Sequence, residues 1–316
     1  MSGHHYLAIT GGVGGAKLAL GLTQMLNSDQ LGFIVNTGDD FVHLGLHISP
    51  DIDTLIYTLA ELSNVETGWG RASESWQFMA ALSQLGGEDW FKLGDRDLAM
   101  HIERTRRLAA GMDLTRVIGE LAGALGVRHR ILPMTDDPVR TTVATEQGEL
   151  AFQHYFVRDR CAPAVTGVRF DGAEQARLSP MLSEALRDPA LAGVIVCPSN
   201  PYLSIDPILS VAPLREALTN LQVPVVAISP IVAGAAIKGP TAKMMLELDI
   251  PNTAVEIARY YRSWVDGFIL DEADRALEDE VQALGLATVV TQTVMVSLDD
   301  RVALARDALQ FIDKLS

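Results

Sequence analysis

Cysteine is nearly missing: only Cys161 and Cys197 occur in 316 residues. They lie far apart and form no Cys-x-x-Cys spacing, which excludes a disulfide framework and a cysteine zinc site and fits a reducing cytoplasm. Long hydrophobic runs are missing too. The longest apolar region, residues 223–237, is interrupted by Pro224, Ser229, Pro230 and Gly234, too short and too broken to span a bilayer, and no basic segment leads into a long apolar run at the N-terminus. Positive charge is scarce: 25 Lys and Arg stand against 40 Asp and Glu, a formal net charge of -15. Such a surface repels nucleic-acid phosphates and anionic lipid, so the expected partners are small molecules, with no nucleic acid and no membrane. A phosphorylated ligand would need a local concentration of backbone N–H groups, a few Lys or Arg, or a divalent cation held by carboxylates.

What is present is the alternation of an α/β protein, with 48% hydrophobic and 21% charged residues. Residues 5–10 predict a buried parallel strand, 16–26 a helix, and 31–35 a second strand that ends in Asn36-Thr37-Gly38-Asp39-Asp40. Residues 53–62, 76–85, 97–110 and 113–125 have helical spacing with no strand between them. A hairpin is expected from 140–145 and 149–156, split by Gln147-Gly148. Strand and helix then alternate: strands at 193–197, 224–229, 265–270 and 287–290, with helices at 213–221, 241–248, 271–284 and 299–315. The pattern predicts a Rossmann-like, doubly wound and mainly parallel sheet in a single domain over 1–316, with a helical insertion at about 53–125 and a hairpin excursion at about 139–156.

The segment Gly11-Gly12-Val13-Gly14-Gly15-Ala16-Lys17 joins the first strand to the first helix. It matches neither the dinucleotide fingerprint, which wants glycine where Lys17 stands, nor the Walker loop, since Ala16 separates Gly15 from Lys17. The physics of both motifs still applies. Four glycines allow close backbone approach and place N–H groups at the positive end of a helix, so Gly12, Val13, Gly14 and Gly15 are candidate phosphate contacts and Lys17 a candidate counter-charge. The plainer reading is a tight turn beneath a packed helix.

Two carboxylate groups follow: Asp39-Asp40 after the second strand, and Asp51-Ile52-Asp53 opening the next helix behind Ser49-Pro50. Single carboxylates in a first helical turn are commonly caps. Two groups near a phosphate loop suit magnesium, a hard cation that prefers oxygen, so Asp39, Asp40 and Asp53 are the candidate metal ligands and Asp39 and Asp53 the candidate catalytic residues. Asp97, His101 and Arg104 share one helical face, either a solvated charged face or a rim of donors. Ser199 and Asn200, in Cys197-Pro198-Ser199-Asn200-Pro201, supply hydroxyl and amide groups suited to a base or sugar edge at the strand ends where ligands gather.

The ordered set "GGVGGAK", "NTGDD", "HISPDIDTLIYTL", "KLGDRDLAMH", "LPMTDDPVRT", "FQHYFVR", "CPSNPYLSIDPIL" and "SPIVAGAAIKGPTAKM" resembles the 2-phospho-L-lactate transferase family of coenzyme F-420 biosynthesis. The resemblance implies a homodimeric, magnesium-dependent enzyme, to which the cytoplasm read from the scarce cysteines is suited. Its reaction would move a phosphorylated hydroxyacid (2-phospholactyl, enolpyruvyl phosphate or 3-phosphoglyceryl) from a GDP-linked donor to the terminal ribityl hydroxyl of the deazaflavin Fo, releasing GMP. It also implies that Asp53 of "SPDIDT" is associated with Fo, with Lys92 and Arg96 on the acceptor side, Gly12, Gly14 and Gly15 at the donor phosphates, and Ser199 and Asn200 at the nucleotide. One alternative is a non-catalytic nucleotide-sugar-binding regulator of the same superfamily, against which "KLGDRD" and "MTDDPVRT" speak. Another is an NAD-dependent oxidoreductase, weakened by the absent third glycine and by Asn36-Thr37 where an acidic ribose ligand belongs.

Overall fold

The computed structural model describes residues 4–64, 69–236 and 239–316. Ile237 at the end of the longest apolar region and Lys238 lie outside the described residues. Seven strands form the central sheet: β1 His5–Thr10, β2 Leu31–Val35, β3 Arg130–Pro133, β4 Leu191–Val196, β5 Val225–Ile228, β6 Gly267–Asp271 and β7 Ala287–Thr291. Their spatial order is β7-β6-β5-β4-β1-β2-β3, and every neighbouring pair is parallel. The α/β, doubly wound fold expected from the sequence is the one observed. Burial on both faces explains why the strands read as unbroken apolar runs. Along β1, Leu7 and Ile9 enter one core while Tyr6 and Ala8 enter the other.

The strand order reverses between β1 and β4, so the loops leaving the carboxyl ends of these two strands diverge and leave a crevice for ligand. Helix α1, Gly12–Thr23, starts at this point and packs on the C-terminal helix, Leu298–Leu315. Between β2 and β3 the chain makes α2 Pro50–Leu59, α3 Gln77–Gln84, α4 Asp95–Ala109 and α5 Leu114–Ala124. A hairpin of two three-residue strands, Phe41–His43 and Leu46–Ile48, precedes α2 and was not expected from the sequence. It carries Ile48 into a small separate core with Met79 and Leu93, ringed by Phe41, Phe78 and Phe91.

A second sheet departs from β3. Arg140–Thr145 pairs antiparallel with Gly148–Ala151 and with Val165–Asp171. The strand expected over 149–156 therefore ends at Ala151, and the chain turns helically over His154–Arg158. The signal lay in the spacing: buried Phe152 and Tyr155 stand three apart, a helical interval rather than the alternate-residue interval of a strand.

Candidate active site

β1 ends at Thr10, and α1 begins at Gly12 with φ +66°, a conformation that glycine takes without strain. A Cβ at Gly14 would collide with the Pro198 carbonyl, and one at Gly15 with the Thr10 hydroxyl. These glycines thus let the first turn of α1 press against the loop that leaves β4. Ser199 fastens that contact: its hydroxyl donates to the Gly11 carbonyl at 2.9 Å and accepts from the Gly11 N–H at 3.3 Å. Asn200 caps the following turn, its Oδ1 accepting from the N–H groups of Tyr202 and Leu203 at 2.9 and 3.2 Å. Lys17 sends its ammonium to the Met295 carbonyl at 2.9 Å, in the loop before the C-terminal helix.

A helix start leaves the N–H groups of Gly12, Val13 and Gly14 without carbonyls four residues back. The Gly12 N–H donates to Asp51 Oδ1 at 2.8 Å, so a carboxylate already stands at the positive end of α1. Asp51 Oδ2 accepts from Asn36 Nδ2 at 2.9 Å, and Asn36 Oδ1 accepts from the Gly38 N–H at 2.7 Å. Through Asn36 the loop after β2, the start of α2 and the start of α1 become one unit.

Asp39 and Asp40 are buried in the same unit. Asp39 accepts from the Thr141 hydroxyl at 3.3 Å. Asp40 Oδ2 accepts from the Ser49 hydroxyl at 2.7 Å and meets His47 Nε2 at 3.0 Å, whereas its Oδ1 is buried with no partner among the described residues. Burial and the neighbouring Asp51 push the Asp39 carboxyl well above the ordinary carboxylate range. Burial, partly offset by the hydrogen bonds from Asn36 and Gly12, pushes Asp51 up to about 6. Negative charge gathered out of water in this way favours either a proton or a cation. Among the described residues no three His, Cys, Asp or Glu side chains converge to hold a metal unaided. Magnesium there would complete its shell with water and ligand oxygens, as that ion commonly does.

Asp53 lies elsewhere in the network. Both of its oxygens are taken by the guanidinium of Arg104, which is 0% exposed. Arg104 also reaches the His47 carbonyl at 3.3 Å, and His101 places Nδ1 3.7 Å from Asp53 and Nε2 3.2 Å from Asp97. Tyr57 donates to Asp97 at 2.5 Å. Burial opposes the charge on Arg104, but Asp53 holds its pKa above the ordinary arginine value. The shared face of Asp97, His101 and Arg104 is therefore a buried brace between α4 and α2, not a solvated surface. Lys92 and Arg96 are exposed on the insertion; Lys92 pairs with Asp89 at 3.7 Å, and the Arg96 N–H donates to Glu74 at 2.7 Å.

The structure thus brings together Gly12, Asp39, Asp40, Asp51 and Asn36, and sets Asp53 against Arg104. Asp51, and not the expected Asp53, is the carboxylate that meets the glycine turn. The two stand two residues apart on a helix, so they face different ways, and the spacing does not say which one faces the glycine turn.

A family model for 2-phospho-L-lactate transferase CofD matches residues 7–313. A phosphoenolpyruvate transferase from Streptomyces griseus is 40% identical over 316 residues, covering 98% of this chain and 98% of its own. A 2-phospho-L-lactate transferase from Methanosarcina mazei is 36% identical over 304 residues, 96% of this chain and 99% of its own. One from Methanopyrus kandleri is 37% identical over 312 residues, 97% of each. A solved UPF0052-family structure from Bacillus halodurans covers 98% of this chain and 100% of its own with a TM-score of 0.63 at 15% identity, a likeness of fold. No described helix is long and apolar enough to cross a membrane. With the family's pattern running the length of a doubly wound sheet whose crevice is lined by carboxylates, the chain belongs to the 2-phospho-L-lactate transferase CofD family of transferases.

Proposed function

We propose that this transferase moves a phosphorylated three-carbon acid from a GDP-linked donor to the terminal ribityl hydroxyl of Fo in coenzyme F-420 biosynthesis, forming a phosphodiester and releasing GMP. The observation that carries the reading is the group of buried Asp39 and Asp40 with half-buried Asp51, set against the positive end of α1 at the reversal of strand order. It suits a diphosphate held through a cation better than it suits a neutral ligand. The N–H groups of Val13 and Gly14 take the donor phosphates, and the loop of Ser199 and Asn200 borders the nucleotide. Magnesium would be held by Asp39 and Asp51, whose partners are neutral donors; this replaces Asp53, which is paired with the buried cation Arg104. When bound, the ion neutralises charge on the transferring phosphoryl oxygens.

The chain's own part is to position two reactants for in-line attack and to exclude water. The free Oδ1 of Asp40 accepts the hydrogen of the attacking alcohol and orients its lone pair toward phosphorus. Asp53, Lys92 and Arg96 act from the acceptor side, Asp53 by fixing the insertion through Arg104. The enzyme works as a cytoplasmic homodimer, which light scattering in solution tests for the dimer.

The decisive experiment supplies purified protein with Fo, GTP, Mg2+, the partner guanylyltransferase and, in separate tubes, 2-phospholactate, phosphoenolpyruvate or 3-phosphoglycerate. Mass spectrometry is expected to show an Fo phosphodiester of one acid together with GMP, and neither without Mg2+. A protein that makes no such product, yet is stabilised against heat by nucleotide sugars and not by Fo, is a regulator, and the reading falls.

A further inference from the structure

The helical turn Pro201–Ile205 and the short helix Asp206–Ser210 that continues it touch the loops after β1 and β2 at three points. Ser204 lies so close to Gly11 that a Cβ on the glycine would overlap it, and Pro207 stands in the same relation to Gly38. Beside them the Leu203 carbonyl accepts at 3.3 Å from Asn36 Nδ2, the amide that also donates to Asp51. Gly38 is the residue before Asp39. Close-packed contacts transmit a displacement rather than absorb it, so the glycine turn, Asn36 and the start of the acidic group follow wherever segment 201–207 lies.

The same segment is held by the helix Ala254–Tyr261. The Tyr260 hydroxyl donates to Asp206 Oδ2 at 2.5 Å, and its ring meets that of Tyr202 edge-on, with centroids 5.4 Å apart. Burial pushes the Asp206 carboxyl up to about 6, against the Tyr260 hydrogen bond and the positive charge of Arg215. Burial and the facing carboxyl together raise the Tyr260 hydroxyl above the ordinary tyrosine value, so it stays a donor. A carboxylate in the first turn of a helix suits the helix polarity, which accounts for Asp206. It does not account for Tyr260, since an apolar ring there would pack on Tyr202 with no polar group to desolvate. What a hydrogen bond adds over an apolar contact is a fixed length and direction.

We infer that Tyr260 is a positioning residue for the donor: through Asp206 it fixes segment 201–207, and with it the spacing between the glycine turn and Asp39 across which a nucleoside diphosphate and its cation are held. The inference rests on the proposed GDP-linked donor and adds a residue that, 42% exposed on its helix, acts on the site from outside it.

The test uses the full-length protein with Tyr260→Phe, which keeps the ring against Tyr202 and removes the hydroxyl, with Asp206→Ala, and with both. GDP is titrated calorimetrically in the presence of Mg2+. Loss of a purely structural hydrogen bond lowers the folded fraction and so the stoichiometry, but leaves the Kd of the folded protein alone; loss of a positioning contact raises Kd at unchanged stoichiometry. Tyr260→Phe is expected to raise Kd about fivefold at full stoichiometry, and the double variant to bind no more weakly than Asp206→Ala, since the two side chains act as one unit. A wild-type Kd in Tyr260→Phe overturns the inference whatever its Tm, and so do effects of the two substitutions that simply add. Should Asp206→Ala fold poorly, Tyr260→Phe decides alone. A wild type without affinity for GDP removes the proposed function and this inference together; a wild type that converts Fo, with Tyr260→Phe binding GDP equally tightly, removes the inference alone.

Discussion

At the scale of single residues, Asp51 is where charge, burial and helix polarity meet. Its carboxyl sits at about 6 in the folded protein because burial outweighs the hydrogen bonds from Asn36 and Gly12. The folded value lies above the unfolded one, so between the two the native state binds more protons than the unfolded chain. Stability from this group is therefore greatest at low pH and is lost as pH rises through about 6. A divalent cation competes with the proton for the same oxygens. Melting without ligand is expected to show this group's destabilising contribution growing from pH 5 to pH 7.5, with Mg2+ plus GDP raising Tm more at pH 7.5 than at pH 5; an equal gain at both pH values would contradict a cation at Asp51. Asp51→Ala is expected to cut kcat by about 10²-fold or more while the protein still folds, measured by initial rates beside circular dichroism. Of these facts the sequence shows only that two carboxylates open α2. Choosing between Asp51 and Asp53 requires knowing which side of α2 faces α1, and that is set by packing between segments some forty residues apart.

At the scale of elements, α4 is held to α2 by a buried ion pair. Arg104 and Asp53 carry the contact, with His101, Asp97 and Tyr57 extending it. Removing one partner of such a pair leaves the other charged and unpaired out of water, at a cost of about 3–5 kcal/mol, whereas replacing both by apolar groups is far milder. Arg104→Met alone should therefore lower Tm sharply, and Arg104→Met with Asp53→Leu should recover most of the loss; a double variant no better than the single one would show that the pair is not the brace. Asp53→Asn is expected to lose stability and to reduce turnover of its folded fraction less than Asp51→Ala does, read from rates normalised to active sites. The common face of Asp97, His101 and Arg104 was legible from their spacing of four and seven residues. Its burial was not, because helical periodicity places residues on a face without saying what that face meets. The hairpin at 41–48 escaped for a related reason: strands of three residues are too short to show an alternating pattern.

For the whole molecule, alternating strand and helix signals at both ends of the chain were enough to read a doubly wound parallel sheet, since apolar runs buried on both faces are hard to mistake. The crevice followed from that reading by topology. The contacts that build the site did not: Asn36 to Asp51, Gly11 to Ser199 and Asp39 to Thr141 close only in the folded chain, where the loops after β1, β2 and β4 meet one another, the start of α2 and the second sheet. This arrangement makes the last prediction specific to the fold. GDP with Mg2+ should slow amide hydrogen exchange in three separate stretches at once, 11–15, 36–40 and 198–204, because one ligand at the carboxyl ends of β1, β2 and β4 restrains all three loops. The antiparallel pairing of Gly148–Ala151 with Arg140–Thr145 lies at the outer edge of the second sheet and should exchange as before. Protection that appears instead beyond β6 and β7, with the glycine turn unchanged, would place the nucleotide on the wrong half of the sheet for Asp39 and Asp51 to reach its phosphates, and the cation would lose its reason to be there.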